Sequence, residues 1–124
     1  MYRLIKENES ELRLEKESGL REKLEASGWG EHDSLWLYEV NGIVVGCADV
    51  TADGSHVEVH WISILPSERG KGYGRLFVES MTLGYKNGFI FGDALPKAAP
   101  FWKSIGAEIY AQPGGGLQPF ELRL

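Results

Sequence analysis

The segment Ile64-Leu-Pro-Ser-Glu-Arg-Gly-Lys-Gly-Tyr-Gly-Arg75 constrains the fold more than any other part of the chain. An apolar run stops at Pro66 and a helical pattern begins a few residues later, so the segment reads as a strand-to-helix turn. Gly70, Gly72 and Gly74 alternate with larger residues. Lacking side chains, they let main-chain amides approach a ligand closely and adopt dihedrals closed to other residues. The helix start leaves N–H groups without intrahelical partners, and their positive ends suit an anion. Arg69, Lys71 and Arg75 add positive charge around the same turn. The expectation is a phosphate cradle; the alternative is a glycine turn needed only for packing.

Two familiar nucleotide turns do not fit. A P-loop needs Gly-Lys followed by Ser or Thr, whereas Lys71 is followed by Gly72. The dinucleotide pattern Gly-x-Gly-x-x-Gly places its last glycine on Arg75 when started at Gly70, and on Phe77 when started at Gly72.

The elements around the turn follow from periodicity. YRLI at 2–5 reads as a short strand, and residues 9–27 as helical, with Leu12, Leu20 and Leu24 on or near one side. Gly19 interrupts that stretch, giving two short helices or one bent one. Strands are expected at 34–40, 43–50 and 57–65, the first two joined by Asn41-Gly42, a strong hairpin signal. A second turn falls at 52–56. On a regular pleat Glu58, His60, Ile62 and Ile64 share one face; a bulge would reassign it. A helix over 73–86 draws its apolar side from Leu76, Phe77, Met81, Leu83 and Tyr85, and Asn87-Gly88 closes it. A strand at 89–95, a short helix at 97–106 with Pro100 in its first turn, and a hairpin of 108–112 with 119–124 complete the chain. The order predicts one α/β domain over 1–124, with helices packed on a twisted mixed sheet.

Charge narrows the partners. The net charge of −5, from 18 acidic and 13 basic residues, opposes a broad nucleic-acid face and favours a cationic substrate. No run approaches the about 20 apolar residues of a membrane span, and the N-terminus is charged too early for a secretory signal. Cys47 is the only cysteine and lies in an apolar run, so it reads as a small core residue in a reducing, cytoplasmic setting. His56 and His60 are four apart, but on a strand that spacing is not a ligand pair, and no metal is expected.

The turn resembles the phosphate-binding signature of the GCN5-related N-acetyltransferase (GNAT) family: Gln or Arg, two residues, Gly, one residue, then Gly or Ala. Arg69, Gly72 and Gly74 occupy those positions, and Ile62-x-Ile64-x-Pro66 looks like the strand that leads into it. The element order extends the resemblance over nearly the whole chain. It implies a mixed sheet whose parallel pair, 57–65 and 89–95, splays apart to admit acetyl-coenzyme A. Main-chain groups of Ile62, Ser63 and Ile64 would pair with the pantetheine arm, and the turn from Arg69 through Gly70, Lys71, Gly72, Tyr73, Gly74 and Arg75 would hold the pyrophosphate. The resemblance implies direct acyl transfer to a primary amine in a ternary complex. The later Ala99-Pro100-Phe101-Trp102-Lys103-Ser104-Ile105-Gly106-Ala107 is similar to a family segment in which many members carry a Tyr where Trp102 stands. Indole can donate a hydrogen bond but is no useful acid at neutral pH.

Amine acylation needs a proton acceptor near the thioester. Glu58 is the first candidate, six residues before Ile64, where some members of the family place a catalytic glutamate; a solvated or cation-paired carboxylate is the competing reading. His60, two residues on, has a useful intrinsic pKa and could relay a proton or bind substrate. Asp93 inside an apolar strand could receive a cationic substrate or orient a backbone turn, and Trp102 is a candidate substrate contact. Tyr73 reads as packing or cofactor-facing, and His56 and His32 as structural or solvent-facing. The acceptor is expected to be a small-molecule or peptide amine, and exposed sheet edges offer a route to a homodimer. The alternatives to an active enzyme are a non-catalytic acyl-coenzyme A sensor or inactive homologue, and a structural protein whose turn merely closes the fold.

Overall fold

A computed structural model of the chain describes residues 1–30, 34–83, 87–110, 112 and 114–123. The first half is built as strand, two helices and three strands: β1 (Tyr2–Ile5), α1 (Glu7–Lys16), α2 (Leu20–Ala26), β2 (Leu35–Val40), β3 (Ile43–Asp53) and β4 (His56–Ile64). A 3-10 turn at Pro66–Glu68 follows, then α3 (Tyr73–Ser80), β5 (Phe89–Ala94), α4 (Ala99–Ser104), β6 (Glu108–Ile109) and β7 (Gln118–Arg123). The strands form one mixed sheet in the order β1-β2-β3-β4-β5-β7-β6. Among them, β4 and β5 run parallel and the other neighbours antiparallel.

Local chemistry explains the boundaries. Asn41 and Gly42 both take positive φ, 51° and 84°, as the tight β2–β3 hairpin requires. Gly19, at φ 82°, separates two helices, so the bent-helix alternative does not hold. Leu14, Leu20 and Leu24 supply the buried side of α1 and α2, while Leu12 stays 49% exposed; two residues from Leu14, it points to nearly the opposite side of the helix. The helix expected over 73–86 ends at Ser80, and Leu83 on the following turn is 80% exposed instead of packed. Tyr85 and His32 lie outside the described residues. β3 and β4 reach further toward each other than expected, narrowing the 52–56 turn to Gly54 and Ser55. The C-terminal hairpin forms, with β6 only two residues long.

Two apolar layers sandwich the sheet. On one face Phe77 and Val78 of α3, Met81 just after it and Trp102 of α4 pack on Trp36, Val50, Val57, Val59, Ile90 and Phe120. On the other, Leu14, Leu20, Leu24 and Trp29 cover Ile5, Leu35, Leu37 and Cys47. A fully buried aliphatic or aromatic side chain contributes about 1.5–3 kcal/mol, so each layer can hold its helices against the entropy of ordering them.

Candidate functional site

The site begins with a defect in β4. Asp49 pairs with Trp61 and Val50 with Val59, which leaves His60 as the extra residue of a β-bulge. Before the bulge the odd residues Val57 and Val59 face the layer under α3; beyond it the even residues Ile62 and Ile64 do. Glu58 and His60 therefore do not share a face with Ile62 and Ile64, as a regular pleat would require. They face the other side of the sheet, with Trp61 next to them packed toward α1 and α2.

The same point marks the end of the parallel pairing. β4 and β5 are in register from His56↔Phe89 to Val59↔Gly92 and then part. Gly92 permits the last rung: a Cβ there would lie 2.5 Å from the Val59 carbonyl oxygen. Beyond it β4 keeps β3 on one side alone. Leu65 N–H donates to the Val45 carbonyl, so by antiparallel alternation the main-chain groups of Ser63 point to β3 and those of Ile62 and Ile64 point into the gap. The Ile64 carbonyl accepts the Arg69 Nε–H at 2.8 Å, leaving the Ile62 N–H and C=O and the Ile64 N–H directed at open space.

The gap continues into the glycine turn. A cleft of about 560 Å³ between Ile62, Ile64, Arg69, Gly74, Phe101 and Trp102 joins one of about 510 Å³ over Gly70, Gly72 and Tyr73. Inward it meets a smaller space of about 190 Å³ bounded by His60, Ile62, Asp93, Lys97 and Trp102. The three glycines act differently. Gly70 and Gly72 take φ 81° and 83°, and a Cβ on either would meet nothing within 4 Å, so they shape an open cradle. Gly74 is needed for contact: its Cβ would lie 3.0 Å from the ring of Phe101, which closes α4 on α3. The N–H groups of Tyr73, Gly74 and Arg75 begin α3 and have no intrahelical acceptor. An open cradle of donors joined to an unpaired strand edge fits a phosphate group carrying an extended amide-bearing arm.

A profile of the family described as Acetyltransferase (GNAT) domain matches residues 31–106. The chain belongs to the GNAT acetyltransferase family. Its sheet and parallel pair match solved acetyltransferases: the ribosomal-protein-S18-alanine N-acetyltransferase of Escherichia coli (17% identity, TM-score 0.59, covering 99% of this chain and 94% of that one) and an acetyltransferase of Thermus thermophilus (20%, 0.59, covering 73% of this chain and 63% of that one). The N-acetylglutamate synthase of Neisseria gonorrhoeae, solved with coenzyme A and N-acetyl-glutamate, is similar over 100% of this chain and 35% of its own (14%, 0.64). At these identities the likeness speaks for the fold. No curated protein matches the sequence.

Within this GNAT framework the charged side chains of the turn are already engaged. Arg69 folds back on Ile64 and reaches Ser63 Oγ at 3.4 Å, bracing the end of β4. Ser63 Oγ also donates to the Ser27 carbonyl, tying β4 to the end of α2. Lys71 pairs with Glu68 at 3.0 Å and Arg75 with Glu79 at 2.8 Å. The hydrogen bond to Glu68 raises the Lys71 pKa. Both pairs are exposed, worth little in water, and can be exchanged for a phosphate.

The candidate bases separate. His60 borders the inner space, its Nε2 2.7 Å from Thr51 Oγ1 and its Nδ1 3.8 Å from Glu58 Oε2. Glu58 itself lines a different cleft with His56, Phe89 and Phe91. Asp93 is exposed at the edge of the inner space. Trp102 is 3% exposed and stacks on Phe120 at 3.9 Å between ring centroids, forming a wall of the groove. Tyr73 is half-buried beside the cradle. Cys47 is fully buried and burial pushes its thiol up to about 12, which makes it an inert core residue. Among the described residues no cluster of His, Cys, Asp or Glu could hold a metal ion, and no helix is long and apolar enough to cross a membrane.

Sequence reasoning missed Thr51, Gly92 and Phe101. Thr51 meets His60 only because the bulge shifts register, which no local pattern encodes. Gly92 carried a usable signal, a lone glycine inside an apolar strand.

Proposed function

We propose that the chain is an N-acetyltransferase that moves an acetyl group from acetyl-coenzyme A to a primary amine, directly and within a ternary complex. The observation that carries this reading is the continuity of the glycine cradle with the unpaired main-chain edge at Ile62 and Ile64. The cosubstrate supplies an activated thioester; the chain's own residues bind, orient and move protons. Amides from Gly70 to Arg75 would take the pyrophosphate, each charged hydrogen bond contributing about 1.5–3 kcal/mol. The Ile62 and Ile64 groups would align the arm as a β-strand partner would. An N–H fixed at this edge can also stabilise the oxyanion that develops during attack.

His60 is the base this geometry favours. In the tautomer that donates Nε2–H to Thr51, Nδ1 carries the lone pair that takes a proton from the attacking amine. The resulting imidazolium lies near Glu58, whose carboxylate 3.8 Å away steadies it. Glu58 thus acts through His60, and Asp93 at the mouth draws in the cationic amine. The buried indole of Trp102 supports a second reading, an acyl-coenzyme A sensor, because it places no acid beside the departing thiolate.

Thiol release from acetyl-coenzyme A across small and peptide amines tests the reading. Intersecting double-reciprocal plots are expected; parallel plots would overturn direct transfer. His60→Ala should lower kcat by about a hundredfold or more, with Glu58→Gln less affected. Coenzyme A binding without amine-dependent release would leave the sensor in place of the enzyme.

A further inference from the structure

A second cleft opens on the sheet face that α1 and α2 leave uncovered. It encloses about 360 Å³ and is lined by Thr51, Asp53, His56, Glu58, Phe89 and Phe91. That volume lies within the range of small-molecule subsites. Its lining carries two carboxylates, two phenyl rings, the Thr51 hydroxyl and the His56 imidazole, and neither lysine nor arginine. Phe89 and Phe91 stack at 5.5 Å, and His56 meets Phe89 edge-on at 5.7 Å, so the rings stand fixed. Phe89 already holds one cation, the Arg123 guanidinium, 4.9 Å from its centroid. Arg123 reaches it from β7, on the side of β5 away from β4 and the cleft. An anion would meet Asp53 and Glu58, and a neutral apolar group would strip water from both; an ammonium or guanidinium satisfies carboxylates and ring faces together.

The position of the cleft ties it to the groove. Glu58↔Phe91 is the rung directly below Val59↔Gly92, where the strands part. Asp93, at the mouth, is two residues beyond Phe91 on the same face of β5, a separation of about 7 Å. We propose that this cleft binds a second cationic group of the acceptor, so that the acceptor is a dication: its reacting nitrogen lies at His60 and Asp93, and its remote cation between Phe91 and the carboxylates of Glu58 and Asp53. The inference rests on the acyl-transfer reading and adds the class of acceptor. A separation of about 7 Å matches an alkyl linker of four or five carbons, found in aliphatic diamines and in lysine side chains next to another basic residue.

Cadaverine and n-pentylamine share a carbon chain and differ only in the second ammonium. The expected result is a KM at least tenfold lower for cadaverine with kcat similar. Asp53→Asn, at an exposed position outside the reacting groups, should raise the cadaverine KM several-fold and leave that of n-pentylamine unchanged. Equal KM values for the two amines, or an equal effect of Asp53→Asn on both, overturn the proposal. A lysine–arginine dipeptide binding better than cadaverine assigns the subsite to a peptide acceptor; the reverse order assigns it to a small diamine, and either supports the dication. Calorimetry with cadaverine separates the two readings: no heat overturns the cation subsite, whereas heat without thiol release for any amine overturns acyl transfer alone.

Discussion

The two halves of β4 share an alternation of β-branched residues, Val57 and Val59 against Ile62 and Ile64, and have opposite roles. From His56 to Val59 the strand is paired on both sides, and Val57 and Val59 are buried. From Trp61 to Ile64 it is paired on one side, and all four residues are only half-buried. The lower half spends its hydrogen-bonding groups on the fold. The upper half keeps some in reserve, held in line by β3, Arg69 and the bulge at His60. An unpaired strand edge is ordinarily a liability for aggregation. Here it lies inside a groove walled by Phe101 and Trp102, where a second strand of this sheet has no room to add.

Substitutions at glycine should separate the halves most clearly. Gly92→Ala presses a methyl group against the Val59 carbonyl and the ring of Phe120, so it attacks the last rung of the paired half. A loss of about 3 kcal/mol is expected, read as a lower urea midpoint with unchanged slope. Unchanged stability would mean that the rung does not set where the strands part. Gly72→Ala meets open space but forces an alanine to φ 83°, at a cost of about 1–2 kcal/mol. Its larger signature should be coenzyme A affinity, reduced at least tenfold by calorimetry; retained affinity would detach the cradle from the open half. The smallest effect is expected far from both, at Glu39 on β2. Arg13 first, and Arg3 second, hold the Glu39 carboxylate below its ordinary pKa against the opposing effect of burial. A depressed pKa stabilises the fold above the ordinary glutamate value, and that stability is lost as pH falls through the folded value. Glu39→Gln should therefore cost about 1 kcal/mol or less at neutral pH, flatten the acid limb below about pH 4, and leave coenzyme A affinity intact.

Two glycine-rich turns show how far local pattern reaches. Gly114, Gly115 and Gly116 take φ values of 83°, 83° and 88°, nearly those of Gly70 and Gly72. In both, glycine composition forecasts the dihedrals. The difference lies in the element each turn leads into: Gly114 to Gly116, between β6 and β7, lead into β7, while Gly72 opens α3 beside a groove. The strand ending at Pro66 and the helix pattern after Gly72 carried that distinction in sequence. The partner of His60 was not so readable. Thr51 is nine residues away, in a stretch that reads as the approach to a turn, and the pairing of Thr51 with Glu58 follows from the bulge.

By itself the sequence determined the order of elements, the hairpin at Asn41-Gly42, the buried Cys47 and the glycine turn from Gly70 to Gly74 that opens α3, because each depends on local dihedrals or on a short apolar period. Tertiary structure alone decided which way Glu58 and His60 face, where β4 and β5 separate, and that Phe89 and Phe91 share a cleft with two carboxylates. One inserted residue in a strand inverts the face of everything beyond it, and the last rung before the strands part joins Val59 and Gly92, residues far apart in the chain.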